Sequence, residues 1–246
     1  MEIILKHAER NYRADLTKGI SLASPLGLKN AEFRAWDVPP VNISPVKVGD
    51  WTGSVASGAA VNFFNVTLNP HGNGTHTEGR GHIAMAHHKL QLSSFHFICR
   101  FVRLSPDAAA NGDRVVRLAE LEQRWQPGAE SALIIATGNY KPGYDFSGTN
   151  PPYFEPELLA YLRRAGIQHF LTDLPSVDRE EDGGALAAHR AFWPDNDHHS
   201  RSATITEMLA VPKSLTEGLY LLNLQVPALE NDAAPSRPVI YPLKPE

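Results

Sequence analysis

The sequence is poor in cysteine: Cys99 is the only one among 246 residues, which excludes a disulfide bond within one chain. Cys99 lies in the apolar stretch FHFICRF. A nucleophilic thiol needs a partly open, electropositive setting, so this pattern favours a buried and inert side chain. A chain without a disulfide framework also fits the cytosol, which is the compartment we expect.

The sequence also lacks the features of membrane and nucleic-acid-binding proteins. No apolar run is long enough to cross a bilayer, and the opening MEIILKHAERNYRADL is too charged for a signal peptide. Basic residues are not in excess, with 23 Lys and Arg against 27 Asp and Glu. We therefore expect neither a membrane nor a nucleic acid as a partner.

The composition is that of an ordinary globular protein, with 42% hydrophobic and 20% charged residues. The length suffices for one large domain or two small ones. Internal repeats and low-complexity segments are absent, and no linker divides the chain. We therefore predict a single domain over residues 1–246.

Strand-like and helix-like segments alternate along the chain, which predicts an α/β protein with a mixed sheet. A loop-rich stretch over Pro25–Gly58 is interpreted as an ordered excursion over the surface, such as a lid, rather than a linker. The predicted helices are Ala8–Leu16, Arg117–Trp125, Glu155–Gly166 and Ala185–Trp193. The predicted strands are Val61–Leu68, Phe95–Leu104, Ser131–Gly138, IQHFLTDL, GLYLLNLQV and RPVIYPL.

The stretch NPHGNGTHTEGRGHI, from Asn69 to Ile83, combines three histidines, one glutamate and four glycines directly after a predicted strand. His76 and Glu78 are two residues apart, so on an extended chain they face the same side, and His82 follows four residues later. Imidazole and carboxylate groups suit zinc, manganese or iron, and glycine lets the backbone approach an ion closely. A turn with polar decoration is the alternative interpretation.

This stretch resembles the signature His-x-Gly-Thr-His-x-Asp-x-Pro-x-His of the cyclase family of metal-dependent hydrolases, which includes bacterial kynurenine formamidase. Gly74–Glu78 matches its central part, with glutamate for aspartate, and His82 matches its closing histidine. Further similarities follow in the same order as in the family, so the resemblance covers nearly the whole chain. They are ISLASPL, TDLPSVD, His189, TITEML and APSRPVIYPL.

The resemblance implies a compact α/β fold of the swivelling β/β/α type, assembled as a homodimer or homotetramer. It implies that His82 is the catalytic acid and base, and that one or two divalent ions are bound, zinc first and manganese or iron as alternatives. The implied activity is hydrolysis of an amide, a formamide or a small cyclic amide or ester of a small-molecule substrate. The implied metal ligands are His76, Glu78, His189 and Glu207, and His71 is a further candidate.

The sequence departs from the signature at two positions. Gly72 stands where the family carries its first histidine, and His71 lies one residue earlier. Either the glycine-rich loop bulges so that His71 still reaches an ion, or one ion is lost. Because a residue displaced by one position on an extended chain points to the opposite face, we expect a single ion. Glu78 is longer than the aspartate of the family, which implies a reshaped site.

Several residues outside the motif are candidates for supporting roles. Trp36, Trp51 and Tyr140 are predicted to contact substrate, although the two tryptophans could equally contact a partner chain. Thr75, Asp173 and Asp178 are predicted to support the ligands, and the two aspartates could instead cap turns. The pairs His87–His88 and His198–His199 are interpreted as solvated loop residues.

Two other functions stay open. The family also contains enzymes that close or open rings or eliminate water, so a metal-dependent lyase is one alternative. A catalytically inactive metal-binding protein is the other, because position 72 lacks the histidine of the signature.

Overall fold

The computed structural model describes residues 1–28, 30–85, 89–195 and 202–246. Its strands in chain order are β1 (Glu2–His7), β2 (Arg10–Asp15), β3 (Ile20–Ser21), β4 (Asn42–Pro45), β5 (Lys47–Val48), β6 (Trp51–Thr52), β7 (Phe64–Thr67), β8 (His76–Gly79), β9 (His96–Arg103), β10 (Asp107–Ala108), β11 (Arg114–Val116), β12 (Ala132–Ala136), β13 (Tyr153–Phe154), β14 (His169–Thr172), β15 (Thr204–Glu207), β16 (Gly218–Asn223), β17 (Ala233–Pro235), β18 (Val239–Pro242) and β19 (Lys244–Pro245). Its α-helices are α1 (Leu118–Arg124), α2 (Pro156–Arg164) and α3 (Ala187–Phe192).

The largest sheet of the described residues has nine strands in the order β17-β8-β15-β14-β12-β9-β16-β18-β3. The four central strands β15, β14, β12 and β9 run parallel to one another. The strands on either side are antiparallel to their neighbours. This confirms the predicted α/β class with a mixed sheet.

The three helices pack on one face of this sheet. Helix α2 begins at Pro156, whose fixed φ suits a first helical turn, and Gly166 follows its end with φ of 87°. Its apolar stripe, Leu158, Leu159 and Leu162, is fully buried against the sheet. The helix predictions over 117–125, 155–166 and 185–193 are confirmed within a few residues at each end.

The opposite face of the sheet has a second core that contains Cys99. The Cys99 side chain is 0% exposed, and burial raises the pKa of its thiol. The prediction of a buried thiol is confirmed. Because the thiolate is the reactive form, such a thiol is inert at neutral pH.

The predicted first helix, Ala8–Leu16, is wrong. Strands β1 and β2 form an antiparallel hairpin there, and its turn at Ala8 and Glu9 has φ of 46° and 63°. Residues of this hairpin, Ala14 among them, pack against Leu221 and Leu243. A helical pattern and strand alternation look alike over so short a stretch, and in the hairpin alternate residues such as Tyr12 and Ala14 face inward.

Residues 42–67, which we call the arm, lie outside the nine-stranded sheet. Strand β4 pairs with β7 and β5 pairs with β6, each as a separate two-stranded ribbon. The predicted strand Val61–Leu68 is therefore present as β7, within a ribbon and not within the nine-stranded sheet. The motif instead enters the central sheet itself, as β8.

The described helices are all short, and α2 is the longest with nine residues. In the part of the chain that the structure describes, no helix has the length and apolar character that a bilayer crossing requires.

Candidate metal centre

Strand β8 brings the motif residues into the interior. All four of its residues are buried, and His76 and Glu78, as alternate residues, face one side of the sheet. In the antiparallel pairing with β15, His76 lies directly opposite Glu207, and His76 Nε2 is 3.4 Å from Glu207 Oε2. Two strands far apart in sequence thus place one imidazole and two carboxylates next to each other.

Helix α3 contributes His189 from above this strand pair. His189 Nε2 lies 2.9 Å from Glu78 Oε1 and 4.0 Å from Glu207 Oε1. Asp178 fixes the ring, since its Oδ2 lies 2.6 Å from His189 Nδ1. The same carboxylate accepts hydrogen bonds from the backbone amides of Ala188 and His189, at 2.7 and 3.1 Å. Asp178 therefore orients both the helix start and its histidine.

His71 reaches the same cluster through a turn. The side chain of Asn69 accepts hydrogen bonds from the amides of His71 and Gly72, and the Asn73 amide donates to the Asn69 carbonyl at 3.0 Å. His71 Nδ1 consequently lies 3.2 Å from Glu78 Oε2. Our inference from strand alternation, that His71 points away, is wrong because the segment is not extended. The number of ions stays a prediction.

The fold also explains the glycine at position 72. A Cβ there would lie 2.5 Å from a methyl carbon of Val38 and 3.0 Å from the carbonyl oxygen of Ala35. A histidine at this position would have to displace the Val38–Ala35 segment. The two departures are therefore linked: the close packing of Gly72 leaves no room for a side chain, and the neighbouring His71 supplies the imidazole.

His82 and Asp232 form the open side of the cluster. His82 ends a short 3-10 turn, and its Nδ1 lies 3.5 Å from Asp232 Oδ2 and 3.8 Å from Glu78 Oε2. Asp232 Oδ2 is also 2.9 Å from His71 Nε2. Sequence reasoning missed Asp232. Its only signal was its place just before APSRPVIYPL, whose first residues form β17 and pair with β8.

The carboxylates set the protonation of the two histidines that touch them. Burial disfavours a charged imidazole, but Glu78 and Asp232 outweigh it and raise the pKa of His71 to about 9. For His189, burial is likewise outweighed, by Asp178 and Glu78, and the pKa rises to about 10. Burial and the charge of His71 lower the pKa of His76 to about 4. Protons on His71 and His189 therefore offset the negative charge of the cluster.

The acids and His82 complete this charge pattern. Burial opposes ionisation of Glu78, yet His82, His189 and His71 hold its pKa well below the usual range. Burial and the neighbouring Glu78 raise the pKa of Glu207 well above its usual range. Burial lowers the pKa of His82, and the charges of His71 and His189 act in the same direction.

The cluster has the donor set and geometry that a cation requires. His76 Nε2 and Glu78 Oε2 are buried and make no well-formed hydrogen bond among the described residues, although Glu207 Oε2 lies 3.4 Å from the first and His71 Nδ1 lies 3.2 Å from the second. Three triads among the described residues each offer ligand atoms within 4.8 Å of one another: His71–His76–Glu78, His71–His82–Asp232 and Glu78–His82–His189. Buried polar atoms are normally satisfied, so the two orphaned atoms indicate room for an ion. Imidazole and carboxylate donors fit zinc, manganese and iron.

A cavity of about 330 Å³ opens onto the cluster and is lined by His71, Glu78, His82, His189 and Glu207 together with nearby loops. Trp36 lines it as well, and Trp36 and Asp37 both have positive φ, 63° and 51°. Bulky residues seldom adopt that conformation, and such strain is concentrated at functional sites. The site is therefore a buried polar cluster with one accessible wall.

A known protein family matches most of this chain. The model of the Cyclase family ("Putative cyclase") matches residues 14–179. The chain belongs to the Cyclase family. This confirms the resemblance that the sequence motifs suggested. No curated protein matches this Cyclase-family chain.

Solved structures share the fold of this Cyclase-family chain at low identity. A predicted metal-dependent hydrolase from Bacillus stearothermophilus has a TM-score of 0.63 and 17% identity, over 91% of this chain and 98% of that one. An isatin hydrolase bound to the product analogue thioisatinate has a TM-score of 0.67 and 18% identity, over 93% of each chain. Isatin hydrolase A from Labrenzia aggregata has a TM-score of 0.62 and 15% identity, over 91% and 93%.

The structure does not place all candidates of this Cyclase-family chain at the cavity. Neither Trp51 nor Tyr140 is among the described residues that line it. Trp51 belongs to the arm and packs on Phe63, with ring centroids 6.3 Å apart. Tyr140 packs on Tyr144 and Phe146 in a separate aromatic cluster. The sequence of the long loop between β12 and α2 does not indicate the direction in which its aromatic rings point.

Of the remaining candidates, Thr75 ties the strands together: its hydroxyl donates to the Met208 carbonyl at 2.6 Å. Asp173 accepts hydrogen bonds from Thr137 and Gly138 after β12, so the prediction that it orients a ligand histidine is wrong. Strands β12 and β14 are parallel neighbours, and their ends meet there. The pairs His87–His88 and His198–His199 lie outside the described residues.

Proposed function

We propose that this Cyclase-family chain is a metal-dependent hydrolase that cleaves an amide, a formamide or a small cyclic amide or ester. The observation that carries the proposal is the convergence of His76, Glu78, His189 and Glu207 beneath a cavity that His82 also lines. Structures of the same fold whose names state hydrolase activity, the isatin hydrolases among them, support it. The substrates named for these structures are those of the other proteins, and the substrate class given for this chain is our proposal.

The residues that would hold a divalent ion are His71, His76, Glu78, His189 and Glu207. When bound, such an ion polarises a carbonyl group and lowers the pKa of water. Asp178 holds the His189 ring so that Nε2 faces Glu78. A carboxylate behind a ligand histidine fixes the ring orientation and makes the imidazole a better donor.

His82 is the group that we assign to proton transfer. Its side chain is 29% exposed, so it reaches both the buried cluster and the cavity. With a lowered pKa its imidazole is neutral at pH 7 and can take up a proton from the attacking water. The same ring can then give that proton to the leaving nitrogen or oxygen.

The cavity restricts the substrate to a small molecule. Its volume of about 330 Å³ is at the lower end for ligand sites. Trp36 offers an apolar ring and Arg179 a cation at the wall. We therefore propose a compact substrate with one apolar face, rather than a peptide.

The test is turnover of a substrate panel by metal-loaded protein. The panel contains N-formyl amines, cyclic amides and lactones, with Glu78→Gln as the control that lacks a ligand. We expect hydrolysis of at least one class by the wild type alone. Ring formation or loss of water without hydrolysis would establish the lyase alternative. A protein that binds metal tightly but turns over nothing would establish an inactive metal-binding protein.

A further inference from the structure

Glu32 is a buried acid that is not part of the metal centre. It is only 7% exposed, and its carboxylate accepts hydrogen bonds from three separate parts of the chain. Its Oε2 accepts from the Gly27 amide at 2.9 Å, and its Oε1 accepts from the Val41 amide and from Asn73 Nδ2, each at 3.1 Å. Burial of a carboxylate is unfavourable unless such bonds satisfy it. One side chain therefore fixes three segments relative to one another.

The side chain of Asn73 extends this network into residues 69–74, which we call the histidine turn because His71 lies in it. Asn73 Nδ2 donates to the Pro39 carbonyl at 3.0 Å as well as to Glu32. Its Oδ1 accepts from the Asn69 amide at 2.8 Å. Asn73 is 1% exposed, so this buried amide group has defined partners on both sides. The turn that directs His71 towards Glu78 is thus bonded to Glu32.

Residues 33–41, which we call the wall segment, bear one wall of the cavity. Trp36 and Val38 of this segment line the cavity. The Ala35 amide donates to the Gly72 carbonyl at 3.0 Å, and Val38 packs on Gly72 so closely that a Cβ there would lie 2.5 Å from a Val38 methyl carbon. The left-handed φ of Trp36, 63°, persists only where the surroundings hold it. The wall segment and the histidine turn therefore pack as one body.

We propose that Glu32 and Asn73 are positioning residues for the proposed hydrolysis, because together they hold the wall segment and the histidine turn as one rigid unit. A displacement between the two would move Trp36 on the substrate side of the cavity and His71 on the metal side. Neither Glu32 nor Asn73 is among the described residues that line the cavity, so both act through other side chains. This inference rests on the proposed metal-dependent function.

The chemistry of the two side chains predicts a graded response to substitution. Glu32→Gln can keep the Oε1 contacts, but it places an amide donor against the Gly27 amide, so one of three bonds is lost. Asn73→Asp keeps the acceptor for the Asn69 amide, loses both donors and sets a second carboxylate against Glu32. The double variant removes that repulsion. Its effect should therefore be smaller than the product of the two single effects.

The first measurement is hydrogen exchange followed by mass spectrometry, which requires no substrate. We expect Glu32→Gln and Asn73→Asp each to accelerate exchange about ten-fold or more in both the wall segment and the histidine turn, because local opening of the unit becomes easier. The hairpin of β1 and β2 in the same samples should exchange at the wild-type rate. Acceleration in only one of the two segments, or in neither, would overturn the proposal.

The matched control is Glu130→Gln. Glu130 is 6% exposed, close to the 7% of Glu32, and its carboxylate accepts hydrogen bonds from Arg100, away from the cavity. This variant should keep wild-type exchange rates in the wall segment and in the histidine turn. Acceleration there in Glu130→Gln as large as in Glu32→Gln would show a general loss of stability and contradict a specific role.

The second measurement separates positioning from stability. Zinc affinity is measured by competition with a chelator, and KM and kcat are measured at saturating zinc on the substrate that the panel identifies. We expect Asn73→Asp to weaken zinc affinity about ten-fold through His71. We expect its KM to rise about ten-fold, with a smaller change in kcat because His82 is retained. The double variant should recover part of both losses, and Glu130→Gln should match the wild type in both.

The outcomes separate this inference from the proposed function. A wild type with neither zinc binding nor turnover contradicts the proposed function and this role with it. An active wild type, with folded Glu32→Gln and Asn73→Asp variants that keep its KM and zinc affinity, contradicts only the role of Glu32 and Asn73.

A measurement on the wild type alone covers the case in which the variants fail to fold. Zinc is added to the metal-free protein, and hydrogen exchange is followed in the two segments. Because the segments form one unit, zinc should slow exchange in the wall segment as well as in the histidine turn. Protection confined to the histidine turn would overturn the proposal.

Discussion

Two strands that follow one another in the chain, but lie in different sheets, reverse the usual distribution of polar and apolar residues. Strand β8 holds His76, Thr77 and Glu78, and all of it is buried. Strand β7, which precedes it in the chain, holds Phe64 and Val66, and all of it is exposed. Buried polar groups and exposed apolar patches are the informative exceptions to normal burial. Each of these strands therefore points to a component that the single chain does not supply.

The two exceptions differ in the component that they require. In β8, the side-chain atoms His76 Nε2 and Glu78 Oε2 are buried and make no well-formed hydrogen bond among the described residues. A small cation would satisfy both atoms. The apolar side chains of β7 instead leave hydrophobic surface in contact with water, which is unfavourable.

Glu78→Gln is the most severe test of a cation site at β8. His71, His82 and His189 all face the Glu78 carboxylate, so the substitution removes the charge that organises the cluster. We expect activity to fall more than about a thousand-fold, because both the ion and the positioned water depend on it. Added zinc should stabilise the wild type by about 4 kcal/mol at a thousand times its Kd and leave the variant unchanged. Equal thermal shifts in the two proteins would contradict a cation at β8.

His82→Ala separates the chemical step from metal binding at β8. His82 lies at the open side of the cluster, so its loss should reduce kcat about a hundred- to ten-thousand-fold while the metal content stays unchanged. Elemental analysis and steady-state rates on one preparation decide between the roles. If zinc is lost together with the rate, His82 is a ligand.

His71→Ala tests how many metal ions the cluster around β8 binds. Because the turn at 69–74 brings His71 against Glu78, we expect the variant to bind zinc less tightly, and a second ion, if the wild type holds two, to be lost first. His96→Ala, which removes an exposed histidine that contacts Asn223, is the control. Unchanged zinc content and affinity in His71→Ala would show that His71 contributes only packing.

The weakest change is expected at His169, a buried imidazole that has no carboxylate partner among the described residues. Its Nδ1 lies 2.9 Å from the Thr204 hydroxyl, and burial lowers its pKa to about 4. A lowered folded-state pKa contributes stability above pH 6.5 that is lost as the pH falls towards 4, at most about 3 kcal/mol. His169→Asn should therefore lose less stability between pH 7 and pH 4.5 than the wild type in urea unfolding. Parallel losses in both proteins would mean that His169 does not titrate in this range.

The sequence predicted those parts of the fold in which local pattern and packing agree. Helix α2 has a proline at its start, a leucine stripe and a closing glycine, and it lies where that pattern predicted. The hairpin of β1 and β2 was misread because strand alternation and helical spacing are hard to distinguish over the nine residues 8–16. Only its contacts with distant residues, such as Leu221, decide the matter.

The candidate site was predictable where a motif kept its residues close together. His76, Glu78 and His82 lie within seven positions, and His189 and Glu207 were found through the order of weaker motifs. Asp232 was not found, since it follows 154 residues after Glu78 and reaches it only through the pairing of β17 with β8. The direction of His71 depends on a turn held by Asn69, which a rule for extended chains cannot anticipate.

The burial of Cys99 has a practical consequence for studying this protein. Its thiol is inaccessible in the second core, so maleimides and spin labels would leave the native chain unmodified. A cysteine introduced at any exposed position would be the sole site of modification, without prior removal of a native thiol. Single probes on the arm and beside the cavity could then report movements of the arm and of the cavity wall in otherwise native protein.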